Sequence, residues 1–144
     1  MADDLAAARV KTVRDHMALE CVQDWDGVIA TFQHPRYEMH GTGAVYDGDK
    51  EVRGYFDASR ATFPDLKNEI IAVAADGDTV LVEFWLSGTH LGPLRANGKT
   101  YEPTGRSFRN RMAATFEFAP GSDKIVCERP YSSTETRLRS LGLA

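Results

Sequence analysis

The spacing of apolar residues changes once along this chain, and the change divides it. Over the first part, Val10, Val13, Met17 and Cys21 recur at steps of three and four, which places them along one side of a helix. The stripe resumes in DWDGVIATF with Trp25, Val28, Ile29 and Phe32, and the stretch 24–27 predicts a break into two helices. HPRYEMHGTG sets a proline and two glycines around a short extended piece. DGDKEVRGYFDASRATFPD predicts a further helix with Val52, Tyr55, Phe56, Ser59 and Phe63 inward. Pro64 stops it, because proline cannot continue the hydrogen-bond ladder.

Beyond that proline the period becomes two. KNEIIAVAA and TVLVEFWLSGTH flank Asp76-Gly77, a two-residue hairpin signal. The excursion LGPLRANGKTYEP leads into TGRSFRNRMAATFEFA, and PGSD turns the chain into KIVCERPY. SSTETRLRSLG carries a capping box of Ser132 with Glu135, then Leu138 and Leu141, with Gly142 as C-cap. Helices first, a meander of long antiparallel strands next and one last short helix predict an α+β fold, a single domain over residues 1–144. Its own helices are expected to cover one face of the sheet, and a second copy the other, making a homodimer through the convex face. Trp85, Glu83, Arg106, Arg109 and Arg111 fall on that outer side.

Composition narrows the class of partner. A net charge of −4 gives no footprint for nucleic acid or an anionic membrane. No run approaches the roughly 18 apolar residues of a membrane span. The opening MADDLAAARVKTVRD is acidic and has no apolar core, so no secretory signal is expected. Cys21 and Cys127 lack metal-ligand spacing and read as reduced thiols, which points to a soluble cytoplasmic protein. His34, Tyr37, Glu38 and His40 crowd around Pro35 as an exposed edge, and His34, Glu38 and His40 do not read as a converging metal set. Without a Gly-rich phosphate loop, a Ser-His-Asp order or a Cys-His pair, neither metal nor organic cofactor is expected.

Turn lengths then assign faces. A two-residue Asp76-Gly77 turn sets Val73 against Val80, Ile71 against Val82 and Glu69 against Phe84. A four-residue PGSD turn sets Phe116 against Cys127, Ala114 against Arg129 and Met112 against Tyr131. Opposed residues share a face, and a slip of one residue reverses every face. The concave lining expected on this basis is Ile71, Val73, Val80, Val82, Phe84, Leu86, Met112, Phe116 and Ile125, with Glu69, His90, Asn110, Arg129 and Tyr131 as its polar members. An apolar pocket with few polar groups suits a small molecule. In NRMAATFEF the small Ala114 leaves room across the ladder for Arg129. Buried there, that guanidinium needs a partner, either a ligand anion or an internal carboxylate such as Glu69 or Glu128. His90, beside Gly88 and Gly92, reads either as a base or as an anchor for the loop that follows.

FPDL (63–66), GTHLG (88–92), PTG (103–105) and the terminal LRSLG (138–142), in that order, resemble the SnoaL-like polyketide cyclases of the nuclear transport factor 2-like superfamily. The likeness spans nearly the whole chain. It implies a cone-shaped barrel of cystatin-like architecture, a curved, mainly antiparallel sheet wrapped around N-terminal helices and a deep pocket. The superfamily holds cyclases, isomerases, dehydratases, epoxide hydrolases and plain binders, so the fold leaves the reaction open. In the cyclases a strand aspartate does the acid–base work. Counting forward from PTG, it falls on Ala114. Arg129 stands where the family commonly has Trp, Ser133 where an Asp often follows, and the GTH histidine is kept as His90.

Two functions follow as expectations. In the first, the chain binds a small, largely apolar carbonyl or acid compound and catalyses cyclisation, isomerisation or hydration, with His90, Arg129 and Glu69 as catalytic groups. Tyr131, Phe84, Asn110, Met112, Ala114 and Phe116 then contact the ligand. In the second, the chain is a non-catalytic binder that has lost the family's acid at Ala114.

Overall fold

The three- and four-residue spacing folds as helices and the two-residue spacing as strands. The computed structural model describes residues 2–144. Helices α1 (Ala2–Cys21) and α2 (Trp25–Ala30) are separated where Asp24 accepts the Gly27 N–H at 3.0 Å, which caps α2. Strands β1 (Arg36–Glu38) and β2 (Val45–Asp47) precede α3 (Asp49–Thr62), which ends one residue before the Phe63-Pro64 pair. The meander comprises β3 (Lys67–Asp76), β4 (Thr79–Thr89), β5 (Leu94–Ala96), β6 (Lys99–Tyr101), β7 (Ser107–Phe118) and β8 (Ile125–Tyr131), followed by α4 (Thr134–Ser140). Six strands form one sheet in the order β2-β1-β8-β7-β4-β3, antiparallel except where β1 meets β8. The excursion holds a small hairpin, β5–β6, turned by Asn97 and Gly98, both at positive φ. The cap of α4 is Ser133, not Ser132: its hydroxyl accepts the Thr136 N–H at 3.1 Å.

The core lies on the concave face. Val13, Met17, Val28, Val52 and Phe56 of the helices pack with Val80, Val82, Phe84, Ala114, Phe116, Phe118 and Ile125 of the sheet. Each large apolar side chain buried this way contributes roughly 1.5–3 kcal/mol. That gain decides which side of β4 and β7 turns inward. A smaller cluster of Phe63, Leu66, Phe108 and Leu141 sits at the α4 end. The excursion is fastened to the end of α3 through Leu91 and Gly92, whose N–H groups both donate to the Thr62 carbonyl. A Cβ at position 92 would stand 2.0 Å from the Ala61 carbonyl oxygen, so only glycine fits.

Two β-bulges correct the faces expected from the turns. In the first hairpin Gly77 and Asp78 make the turn, Asp76 pairs with Thr79, and Val73 faces Val82. A bulge between Ile70 and Ala72 then leaves Ile71 unpaired and 42% exposed, and puts Glu69 opposite Trp85 on the convex face. In the second hairpin Phe118 pairs with Ile125 as expected, but a bulge at Val126 sets Glu117 against Cys127. From there Phe116 faces Glu128, Thr115 faces Arg129, Ala114 faces Pro130 and Ala113 faces Tyr131. One inserted residue moves every later side chain to the opposite face. Arg129 and Tyr131 are therefore carried off the concave lining, and Glu128 is carried onto it.

Candidate functional site

Glu128, turned inward, meets α1. His16 and Glu20 are four residues apart on that helix, so both reach the same side. His16 Nε2 lies 2.6 Å from Glu20 Oε1 and 2.8 Å from Glu128 Oε1. Tyr37, on β1 opposite Glu128, donates its hydroxyl to Glu20 Oε1 at 3.3 Å. On the other side of the ring, His16 Nδ1 is 2.8 Å from Thr31 Oγ1, whose own hydrogen goes to the Val28 carbonyl. Nδ1 must therefore donate. With Nε2 set between two carboxylates, both nitrogens are donors and the ring is an imidazolium. It is fully buried, with the rings of Phe32 and Phe116 each edge-on at 5.4 Å.

This environment separates the two acids. Burial alone would lower the His16 pKa, but Glu20 and Glu128 outweigh it and raise it to about 10. Burial, with the charge of Glu20 added, pushes Glu128 up to about 7 against the pull of His16. Partial burial would raise Glu20 as well, yet His16, with help from Arg60, holds it below its ordinary value. Glu20 is thus the resident anion, and Glu128 is a carboxyl whose proton exchanges near neutrality, the property of a general acid or base. His16, Glu20 and Glu128 are also the residues, among those described, that could converge on a cation. Their 2.6–2.8 Å separations suit shared protons. Ligand atoms about 2.1 Å from one tetrahedral zinc ion stand roughly 3.4 Å apart.

Further along the concave row, β7 passes the small Ala114 to Met112 and Asn110. There β8 ends, and a cavity of about 330 Å³ opens between β7, α4 and the His40–Tyr131 ring pair. Arg137 of α4 reaches into its lining, with its guanidinium 4.8 Å from the centre of the Phe108 ring and 5.6 Å from that of Phe63. Its polar contact is the Met112 sulfur at 3.9 Å. Burial lowers its pKa. A second cavity of about 240 Å³ shares His40 and Tyr131 with the first and is lined by Arg129 and Glu38.

The predicted site residues are distributed over four places. Asn110, Met112 and Tyr131 line the larger cavity. Phe84, Ala114 and Phe116 are buried in the core, with Ala114 only 1% exposed, so no vacancy faces it. Arg129 does not oppose Ala114. It lies on the convex side, 35% exposed, donating to Glu38 at 2.8 Å and Glu117 at 2.7 Å, contacts that raise its pKa. Glu69 is likewise convex and exposed, 3.4 Å from Arg109. The sheet separates both from the cavity's concave floor, so His90, Arg129 and Glu69 do not gather around one ligand. His90 is buried against Phe63, with Nδ1 accepting the Thr104 N–H at 3.2 Å and its backbone bonded to Arg106 and Gly105. These contacts tie down the excursion.

His16, Glu20 and Arg137 are functional candidates that the reading of the sequence missed, and Tyr37, expected on an exposed edge, is buried at 1% exposure because its ring packs inward from β1. A signal existed for the first two: His16 falls inside the apolar stripe between Val13 and Met17, with an acid four residues on. Arg137 carried a fainter one, being four residues before Leu141 on the inward side of α4.

Residues 13–128 match the model of the SnoaL-like domain, and the chain belongs to that family. No curated protein matches it by sequence. Among solved structures it is similar to a protein assigned as a SnoaL-like polyketide cyclase from Jannaschia sp. CCS1, at 19% identity and a TM-score of 0.82, with 97% of this chain and 95% of that one covered. It is also similar to IdmH from Streptomyces antibioticus, assigned as a polyketide cyclase, at 22% identity and a TM-score of 0.75, covering 93% and 98%. A third is a protein of ketosteroid isomerase-like fold from Catenulispora acidiphila, at 19% identity and a TM-score of 0.75, covering 92% and 93%. At such identities the likeness establishes the fold, which is the one the sequence motifs implied. Among the described residues no helix is long and apolar enough to cross a membrane.

Proposed function

We propose that the chain, acting as one domain over residues 1–144, binds a small, largely apolar compound with a carbonyl or acid group in the cavity at the end of β8. One observation carries this reading. The cavity of about 330 Å³ is built from the Met112 side chain and the His40 and Tyr131 rings, with a few polar groups from Asn110 and α4. That volume is at the small end of ligand sites. A panel of apolar ketones and acids tests it by thermal shift, since a compound that binds only the folded state raises the melting temperature. Met112→Trp fills the cavity, and it should remove the shift while leaving the fold intact. A shift that survives Met112→Trp places the ligand elsewhere.

A second reading, acid–base catalysis of cyclisation, isomerisation or hydration, is favoured by Glu128. Its carboxyl titrates near 7 against His16 and stands on the same concave row, opposite Phe116. Glu128 lines neither cavity and stands beside the buried Ala114 and Phe116, so it would take a proton from carbon beside the carbonyl only once those side chains part, with His16 stabilising the carboxylate form before transfer. Turnover that is lost in Glu128→Gln with binding retained supports the enzyme. Binding without turnover in the native protein supports the non-catalytic module, the reading that Ala114 favours.

The same proposal places the protein in the cytoplasm as a homodimer. Two free cysteines, Cys21 and Cys127, suit a reducing compartment. On the convex face Trp85 lies under Arg109 and Arg111, and the exposed Leu81 stands four residues away on the same side of β4, a surface fitted to a second copy. Light scattering on native protein and on Trp85→Glu tests the dimer.

A further inference from the structure

We infer that the ligand is an anion, a small apolar carboxylate whose charge is held by Arg137. The inference rests on the cavity reading above and adds the chemical class of the ligand. Six arginines are not fully exposed, and five of them have a carboxylate within ion-pair distance. Arg9 has Asp78, Arg36 has Glu38, Arg53 has Asp26, Arg60 has Glu20, and Arg129 has Glu38 with Glu117. Arg137 has none among the described residues. Its recorded acceptor is a thioether, which accepts hydrogen bonds weakly.

The lining of the cavity points the same way. It contains Arg137, Arg111 and His40 and no aspartate or glutamate, in a chain whose net charge is −4. Arg111 is already near Glu83, at 3.7 Å, so Arg137 is the cation left without a counter-charge. The rings of Phe63 and Phe108 take up part of its field through cation–π contact but offer no acceptor to its N–H groups. A desolvated guanidinium without an acceptor is costly, and a planar carboxylate matches its fork with two parallel hydrogen bonds. One guanidinium balances one charge, and with Arg111 beside Glu83 the lining keeps no second guanidinium without a carboxylate for a phosphate dianion. The hydroxyls of Ser132 and Thr136, on the same wall, suit the remaining lone pairs.

Isothermal titration with 2-naphthoate and with its neutral amide tests the inference on the native protein. The carboxylate should bind roughly tenfold to a hundredfold tighter than the amide. Arg137→Met, of similar length and apolar among aromatic rings, should abolish that preference, and Arg137→Lys should keep part of it. Equal affinities in the native protein, both lost in Met112→Trp, overturn the inference and leave the cavity reading standing. Binding of neither compound, or binding indifferent to Met112→Trp, overturns both. The comparison of the two ligands on native protein needs no variant, so a poorly folding Arg137→Met does not remove the test.

Discussion

His16 Nε2 and Glu128 Oε1 meet at 2.8 Å across 112 residues of sequence, tying the first helix to the last strand. The contact exists only because β8 bulges at Val126, and it is closed on the α1 side by Glu20 at 2.6 Å. Its members are buried together, so each is costly without the others.

Removing the imidazolium alone should therefore be severe. His16→Ala leaves two buried carboxyls and the Thr31 hydroxyl without their donor, and it is expected to cost about 3–5 kcal/mol. Replacing His16, Glu20 and Glu128 together by apolar residues should cost less than that single change. Urea midpoints of the two variants give the comparison.

Stability should also decline on the alkaline side. The folded pKa of His16, about 10, lies above its unfolded value near 6.5. Its contribution is then complete below pH 6.5 and is lost as pH rises towards 10. The slope is at most about 1.4 kcal/mol per pH unit. Glu128, raised to about 7, loses its own contribution between pH 4.5 and 7, and Cys127, raised by burial from 9 to about 11, begins to lose its own near pH 9, so urea titrations from pH 7 to roughly 8.5 isolate the histidine. His16→Gln should flatten the curve over that range.

Arg129→Ala is expected to change little. Its partners Glu38 and Glu117 are on the half-exposed convex side, where such pairs contribute about 0–1 kcal/mol. Titration of the same ligands into this variant should give the native affinity, in contrast to Arg137→Met.

Ala114→Asp places a carboxyl in the filled core between Val82 and Pro130. It should cost about 2–4 kcal/mol by denaturant unfolding. Recovery of cyclase activity without loss of stability would contradict this packing.

Gly92→Ala drives a methyl into the Ala61 carbonyl, backbone against backbone, with no flexible side chain to yield. A loss of about 2 kcal/mol or more is expected. It should appear as a lower melting temperature and as faster proteolysis within residues 91–106.

Much of the fold was legible because its signals are local. The stripe of Val13 and Met17, the stop at Pro64 and the alternation through Val80, Val82 and Phe84 each reflect a period that burial enforces. The concave row of Asn110, Met112, Ala114, Phe116 and Phe118 came from the same rule, and it holds. The site was less legible because it depends on pairing between strands. A bulge has no composition of its own in KIVCERPY or KNEIIAVAA, yet the extra residue in the first exchanged Arg129 for Glu128 and the extra residue in the second expelled Glu69. A sunken guanidinium does need a counter-charge, but the one without a carboxylate among the described residues is Arg137 rather than Arg129.

The extra residue in β8 sets the polarity of the barrel. Deleting Val126 would make the ladder regular with Cys127 still opposite Glu117 and Glu128 still inward, whereas drawing Val126 into a rung of its own would turn Arg129 into the barrel and Glu128 out of it. The same side chains can thus furnish an acidic or a cationic interior according to whether one residue stands inside or outside the pairing, a difference that comparing residue identities column by column would overlook.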